Sequence, residues 1–441
     1  MKVAFHTLGC KVNQYETEAM RQQFVQNGFQ SVEENDFADV YIINTCTVTN
    51  LADRKSRQYI RRMKKINPNA VIGVTGCYAQ IKPEELAQLP EVDIVAGTGE
   101  KNNILEYVKE FMENKIPQSH IRDYDDLCEY QDSGIITSME SRTRAYIKIQ
   151  EGCDRFCSYC LIPFARGKVR SRNPQEIVEE AKALIRQGFK ELILTGINTA
   201  LYGTEEGFAE LYSEWEWYEL EGIESIICAI NGLEGDFRIR LSSLEPAVID
   251  AQYVEKLMKY DKLCHHLHLS AQSGSDQVLK LMNRPYGRKD YLKIVEVLRS
   301  QDPLYGITTD IIVGFPGEEE SDFQDSLDLI KKAGFCKVHG FRYSKREGTA
   351  AALMDNQVKS QVKNTRIDRL LEEGERVSHS FFKRCVGDKR KVLFEEKEGE
   401  YVTGYTDNYI KVYAEGSEKD LNCFKEVTLL EIYKDGMKGE I

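Results

Sequence analysis

Short apolar runs alternate with stretches of helical period over the first part of the chain. Residues 3–5, 40–43, 71–74 and 92–96 are rich in Val, Ile and Ala and read as buried strands. Between them, residues 16–27, 51–65 and 83–88 carry apolar positions at helical spacing. This β–α alternation predicts a parallel α/β sheet domain over residues 1–116. Residues 117–140 are polar and lack a period, which predicts a linker. A second α/β series over residues 141–372 has strand patterns at 145–149, 192–194, 238–241, 266–269, 308–313 and 338–343. Six strands are too few for a closed eight-stranded barrel, so an open, partial (β/α)6 barrel is expected. Its acidic stretch 203–236 holds both tryptophans, Trp215 and Trp217, and reads as a helix plus a surface insertion. The remainder, 373–441, changes to short strand patterns at 391–394, 401–405, 409–413 and 427–433, separated by Gly, Asp and Asn. A small antiparallel, OB-like β-barrel is expected there. The fold class is α/β.

Composition alters this picture in two places. The 441 residues carry 59 basic and 71 acidic side chains, a net charge of −12, so bulk charge speaks against a polyanion partner. Locally the balance reverses. Arg54, Lys55, Arg57 and Arg61 crowd one predicted helix, with Arg54, Arg57 and Arg61 on one face. Arg166, Lys168, Arg170 and Arg172 form a second basic set. No apolar run approaches the roughly 20 residues that span a bilayer, and the N-terminus has no signal-peptide pattern. A cytoplasmic location without a membrane partner is expected, and there the 12 cysteines stay reduced.

Six of those cysteines are scattered and read as small hydrophobes. The other six form two sets of three. Cys153, Cys157 and Cys160 have the spacing C-x3-C-x2-C just after the first strand of the second α/β series, where open α/β folds place their chemistry. Three thiolates so spaced suit an iron–sulfur cluster, and the residues that follow offer no fourth ligand of the kind structural zinc requires. Cys10, Cys46 and Cys77 each follow a strand of the first domain, so parallel strands would bring all three to one sheet edge. Both basic sets flank these cysteines, which suits a polyanion entering a cleft between them.

The two triplets and the domain order resemble the radical S-adenosylmethionine methylthiotransferase family across essentially the whole chain. The resemblance implies an N-terminal methylthiotransferase domain, a radical S-adenosylmethionine domain and a C-terminal TRAM domain. It implies two [4Fe-4S] clusters. Cys153, Cys157 and Cys160 would hold the one that binds and reductively cleaves S-adenosylmethionine to a 5′-deoxyadenosyl radical. Cys10, Cys46 and Cys77 would hold an auxiliary cluster that carries the sulfur. A radical suits an adenine C2–H, whose proton no side-chain base removes near neutral pH.

Segments matching the family near S-adenosylmethionine are Thr195-Gly196, Ser242-Ser243 with Glu245, Gln272-Ser273-Gly274, and Val313-Gly314-Phe315. His265, His266 and His268 alternate along a strand and cannot all face one metal, while His268 is expected to line the barrel. Arg54, Lys55, Arg57, Arg61, Arg166, Arg170 and Arg172 are the candidate RNA contacts. Residues 381–441 hold 11 basic and 13 acidic side chains, so RNA binding there would rest on tyrosines such as Tyr401, Tyr405, Tyr409 and Tyr413.

Family members act on tRNA adenosine 37 or on a ribosomal-protein aspartate. Gly9-Cys10-Lys11-Val12-Asn13 and the segment around Asn408 are most similar to the branch acting on N6-threonylcarbamoyladenosine. The isopentenyladenosine branch and the protein-aspartate branch are the alternatives. Outside the family, a non-catalytic iron–sulfur RNA-binding or electron-transfer protein is the rival. The implied partners are a tRNA anticodon stem-loop, an external one-electron donor and a sulfur source.

Overall fold

A computed structural model describes residues 1–136, 143–217 and 219–441. The first domain is one parallel sheet of six strands, in spatial order Gln30–Val32, Lys2–Thr7, Val40–Thr45, Val71–Gly76, Ile94–Ala96 and Gln118–His120. Val40–Thr45 and Val71–Gly76 are buried along their whole length because helices cover both faces. Their register sets Asn44 beside Thr75 and Thr45 beside Gly76, so neighbouring strands end in line. The outer strands Gln30–Val32 and Gln118–His120 escape the sequence pattern because they are three residues long and polar at the edge. The second lies in the expected linker, so that segment begins as part of the sheet. The expected boundary at 140/141 falls within 137–142, outside the described residues.

The central domain has the six expected strands, all parallel: Arg144–Lys148, Glu191–Thr195, Arg238–Leu241, His266–Leu269, Gly306–Val313 and Lys337–Arg342. A bridge from Ile239 to Leu263 joins its two half-sheets. Arg144–Lys148 and Lys337–Arg342 do not pair with each other among the described residues, so the barrel stays open. Strand alternation sends Ile147, Leu192, Leu194, Ile239, Leu267 and Ile311 into the core under the helices. The alternate positions, among them Glu191, Arg240, His266, His268 and Asp310, line the lumen. Stretch 203–236 is less of a surface insertion than expected. Its helix Ile223–Asn231 and Trp215 belong to the main core.

Helix Ser360–Arg384 runs past the expected boundary at 373 into a closed five-stranded barrel. Its fifth strand, Gly436–Glu440, lacks an apolar run and pairs in parallel with Lys411–Glu415, so this barrel is mixed rather than antiparallel. It seals the lower end of the central barrel. Arg238 donates to the Tyr405 carbonyl (3.0 Å), and Arg240 to those of Thr406 and Asp407 (3.1 Å each). Arg144 pairs with Glu395 and lies over the Tyr405 ring, while Arg240 lies over Tyr409. Tyr405 and Tyr409 therefore floor the lumen, and Tyr413 is buried, so these three are not a free stacking surface. Asn408 is fully buried and donates to the Leu304 carbonyl.

Glu191 is the hub of this floor. Its carboxylate accepts from Arg238 Nε (2.6 Å) and Arg240 Nε (2.9 Å) with no exposed surface. Glu191→Gln leaves two buried guanidiniums without their counter-ion. Urea unfolding is expected to show a loss of about 3–5 kcal/mol, with earlier proteolysis at the segment leading into the C-terminal barrel. An unchanged midpoint would contradict the hub role.

Candidate functional site

The strand ends of the first domain deliver three thiols to one place. Cys10 caps helix Lys11–Gln26, Cys46 follows Val40–Thr45, and Cys77 opens helix Cys77–Ile81. Two glycines permit the approach. A Cβ on Gly9 (φ 110°) would sit 2.7 Å from Cys46 Cβ, and one on Gly76 (φ 95°) 2.4 Å from the Thr45 carbonyl oxygen. They make room for the neighbouring thiol loop. Asn13 ties the loops together, donating to the carbonyls of Leu8 (2.7 Å) and Thr45 (3.0 Å).

The second triplet lies on a loop pinned by its surroundings. Ser158 donates to the carbonyls of Met282 and Leu281, and Asn283 donates to that of Phe156 (3.0 Å). Phe156 sits in the left-handed region at φ 44°, strain of order 1–3 kcal/mol that these contacts hold. Burial pushes the Cys46, Cys153 and Cys160 thiols up to about 12. Burial also raises Cys10 and Cys157, against the opposing charges of Arg166 and Arg284. A metal would displace these protons, and the two guanidiniums favour the resulting thiolates. Among the described residues no three His, Cys, Asp or Glu side chains are placed to share one metal ion. Three thiols that each serve their own metal are the donor set of a four-iron cluster.

One side chain ties the first triplet to the segment that follows the second. Arg166 ends helix Ile162–Arg166, six residues after Cys160, and has 0% exposed surface. Its Nε lies 3.3 Å from Cys77 Sγ, and its Nη2 donates to Asn13 Oδ1 (2.6 Å). Its Nη1 donates to Glu16 (2.5 Å) and Glu151 (2.8 Å). Lys101 and Lys148 complete this buried network. Burial alone would raise the Glu16 carboxyl, but Arg166, Lys101 and Lys148 hold it down to about 2. Further out, Arg346 pairs with Asp53 (2.8 Å) and donates to Thr47 (2.5 Å), fixing the loop after Cys46 to the barrel.

These contacts revise the expected RNA surface. Arg166, Arg170 and Arg172 are buried: Arg170 donates to the carbonyls of Leu127 and Arg166, and Arg172 pairs with Glu180 beside Tyr15. They bind the domains together and are not available to a polyanion. Arg57 is half-buried, donating to Tyr78 (2.6 Å) and Glu85 (2.7 Å). Arg54, Lys55 and Arg61 remain exposed on helix Asn50–Ile66, just beyond Cys46.

The residues expected near S-adenosylmethionine divide similarly. Thr195 and Ser242 approach each other at strand ends (3.3 Å), and Gly196 packs on Gln150. Ser243 is exposed, and Gln272 is half-buried at φ 64°. Glu245 is buried, accepting from Asn198 (2.6 Å), Arg284 (2.5 Å) and Arg155 (3.1 Å). By contrast Gly274 lies against the helix at Asp325 and Ser326, Gly314 against Lys363, and Ser273, Val313 and Phe315 are buried in packing. His268 does line the barrel, 3.1 Å from Asp310. His266 joins it there through Thr308, and His265 turns away to Asp302. Sequence reading missed Glu16, Glu151, Arg284 and Arg346. None of them lies in a motif that points to a ligand, and only their burial and their partners mark them.

Comparison with known proteins agrees with this arrangement. Residues 2–97 match the model of Uncharacterized protein family UPF0004, and residues 147–330 that of the Radical SAM superfamily. The chain is 41% identical over 437 residues to the threonylcarbamoyladenosine tRNA methylthiotransferase MtaB of Bacillus subtilis, covering 97% of this chain and 94% of the relative. It is 34% identical to the tRNA-2-methylthio-N(6)-dimethylallyladenosine synthase of Hydrogenobaculum sp., covering 100% and 98%. The radical S-adenosylmethionine methyltransferase TsrM of Kitasatospora setae shares the fold at TM-score 0.55 and 12% identity, over 91% of this chain and 80% of that one. With both family models matched, full-length relatives at this identity and a thiol triplet in each of the two matched regions, the chain belongs to the radical S-adenosylmethionine methylthiotransferase family, in the branch of the threonylcarbamoyladenosine tRNA methylthiotransferases.

Proposed function

We propose that this protein converts N6-threonylcarbamoyladenosine at position 37 of tRNA to its 2-methylthio derivative. The observation that carries the reading is that Arg166, on the helix directly after the second thiol triplet, contacts Cys77 of the first and so ties the two thiol-bearing segments, from two domains, together. A non-catalytic iron–sulfur protein has no need of two three-thiol sites tied together in this way.

Cys153, Cys157 and Cys160 are the ligands of the [4Fe-4S] cluster that belongs to the radical family, and Cys10, Cys46 and Cys77 those of a second. The donor sets fit: soft thiols in threes, with nearby guanidiniums to stabilise their anions. When bound, the clusters and S-adenosylmethionine supply the carbon-centred radical that takes hydrogen from adenine C2, and the methylthio group that replaces it.

The chain's own residues position and protect. Arg166 and Asn13 fix the three N-terminal thiol loops relative to helix Ile162–Arg166, and so relative to the second triplet. Arg284 connects Tyr159, between Cys157 and Cys160, to Glu245 at the end of the third barrel strand. Thr195, Ser242, Glu245 and Gln272 stand at strand ends, where open α/β folds receive their ligands. Arg54, Lys55 and Arg61 are placed to meet anticodon stem-loop phosphates, with a salt-dependent contribution to binding. An external one-electron donor and a sulfur source complete the reaction in the cytoplasm. No helix among the described residues is long and apolar enough to cross a membrane.

Reconstituted with iron and sulfide, reduced, and given S-adenosylmethionine with a threonylcarbamoylated stem-loop, the protein is expected to form 5′-deoxyadenosine and add a methylthio mass to the RNA. Isopentenylated stem-loop and the ribosomal-protein aspartate serve as competing substrates. Absence of both products with the first RNA overturns the reading. Arg166→Lys keeps a charge but loses the forked contact to Cys77, Asn13 and the two carboxylates. It is expected to lower methylthio product per 5′-deoxyadenosine by about tenfold or more, the scale of one charged hydrogen bond. An unchanged ratio, read by mass spectrometry of both products, would contradict the positioning role.

A further inference from the structure

Charges inside the half-open barrel are matched almost everywhere. Arg238 and Arg240 converge on Glu191, Arg144 pairs with Glu395, and His268 lies 3.1 Å from Asp310. The exception is Lys11. It follows Cys10 directly as the first residue of helix Lys11–Gln26, is partly buried, and forms no hydrogen bond or ion pair with any described residue. Its helix packs against the barrel strand Arg144–Lys148, and the charges that act on it most are Arg240, Glu191 and Arg144, with His266 and His339 on two lumen strands also in range. The carboxylate among them, Glu191, is already shared by Arg238 and Arg240. The ammonium thus belongs to the residue directly after Cys10, within electrostatic range of lumen charges that supply no free counter-ion.

A partly dehydrated cation without a counter-ion is costly when empty and gains most from an anion brought by a ligand. The substituent on N6-threonylcarbamoyladenosine ends in a carboxylate. An isopentenyl group is neutral and would leave the ammonium unpaired. A site built around a polar group rejects analogues that lack its partner far more strongly than an apolar pocket does.

We propose that Lys11 is the specificity-determining residue that receives the carboxylate of the adenosine N6 substituent. This rests on the threonylcarbamoyl reading above and assigns the discrimination to one ammonium beside Cys10. Asn408, the other sequence feature of this branch, does not share the task, because it is fully buried between the two barrels.

The test compares wild type, Lys11→Met and Lys11→Arg as reconstituted holoenzymes. Two stem-loops are used, one with the free threonylcarbamoyl acid and one with its neutral methyl ester. Product is followed by mass spectrometry and RNA binding by fluorescence anisotropy, with iron content and cluster absorbance checking each variant. Wild type is expected to prefer the acid. Lys11→Met should lower the acid-to-ester ratio of kcat/KM by about ten- to hundredfold, mainly through KM, while Lys11→Arg keeps the preference. The anisotropy ratios should move in the same direction.

A Lys11→Met ratio equal to that of wild type overturns the proposal. So does an equal loss on both RNAs, which would assign Lys11 to phosphate. A raised KM for S-adenosylmethionine at an unchanged RNA ratio would assign it to the cofactor carboxylate and also overturns it. Failure of wild type to modify the acid stem-loop defeats the functional reading instead, so the two failures are distinct.

Discussion

The buried guanidinium of Arg166 is the contact on which the seating of the first domain against the barrel depends. Two triplets of cysteines, more than 70 residues apart in the chain at their nearest members, lie in two domains that must be held in a fixed relation without any ligand shared between them. Arg166 meets that need from a helix that continues the second triplet, reaching Cys77, Asn13, Glu16 and Glu151 in one planar fork. A hydrophobic contact could hold the domains as firmly. It could not fix direction in the same way, nor favour a thiolate beside it. The desolvation of so many ions offsets much of their mutual attraction, so the network is better understood as fixing geometry than as adding stability.

The same device recurs around the cleft. Arg172 with Glu180 and Tyr15 joins the first domain to the barrel, Arg346 with Asp53 and Thr47 fastens the loop after Cys46, and Glu191 anchors the floor. The three domains are thus bound largely by arginines inserted where backbone carbonyls and carboxylates converge. Against that background of saturated charge, a cation without a partner is informative, and Lys11 stands out only because its neighbours are so fully used.

Much of this architecture was legible in the sequence, for particular reasons. The Val- and Ile-rich runs had to be buried parallel strands, and cysteines placed directly after three of them had to meet at the sheet edge. C-x3-C-x2-C leaves little freedom in where three sulfurs lie. What stayed hidden was whether a charge faces water. Arg166, Arg170 and Arg172 look like a basic patch in one dimension and are cross-domain struts in three. Gly274 and Gly314 look like ligand loops, and their missing side chains also make room for a helix and for Lys363, which one dimension does not show. Gln118–His120 and Gly436–Glu440 are short, polar or glycine-containing strands whose pairing comes from the sheets they join. Tyr405 and Tyr409 have the composition of a stacking surface, yet Arg144, Arg240 and His266 occupy their faces.

The central claim is that each thiol triplet holds its own cluster, with Arg166 tying the segment after one triplet to a cysteine of the other. Mössbauer spectroscopy of protein reconstituted with enriched iron tests it most directly, applied to wild type and to the two triple variants, Cys10/Cys46/Cys77→Ala and Cys153/Cys157/Cys160→Ala. The account predicts a four-iron spectrum in all three proteins, with each triple variant retaining about half of the wild-type iron. Loss of the entire cluster signal in either variant, or no loss in one of them, would contradict two independently held clusters.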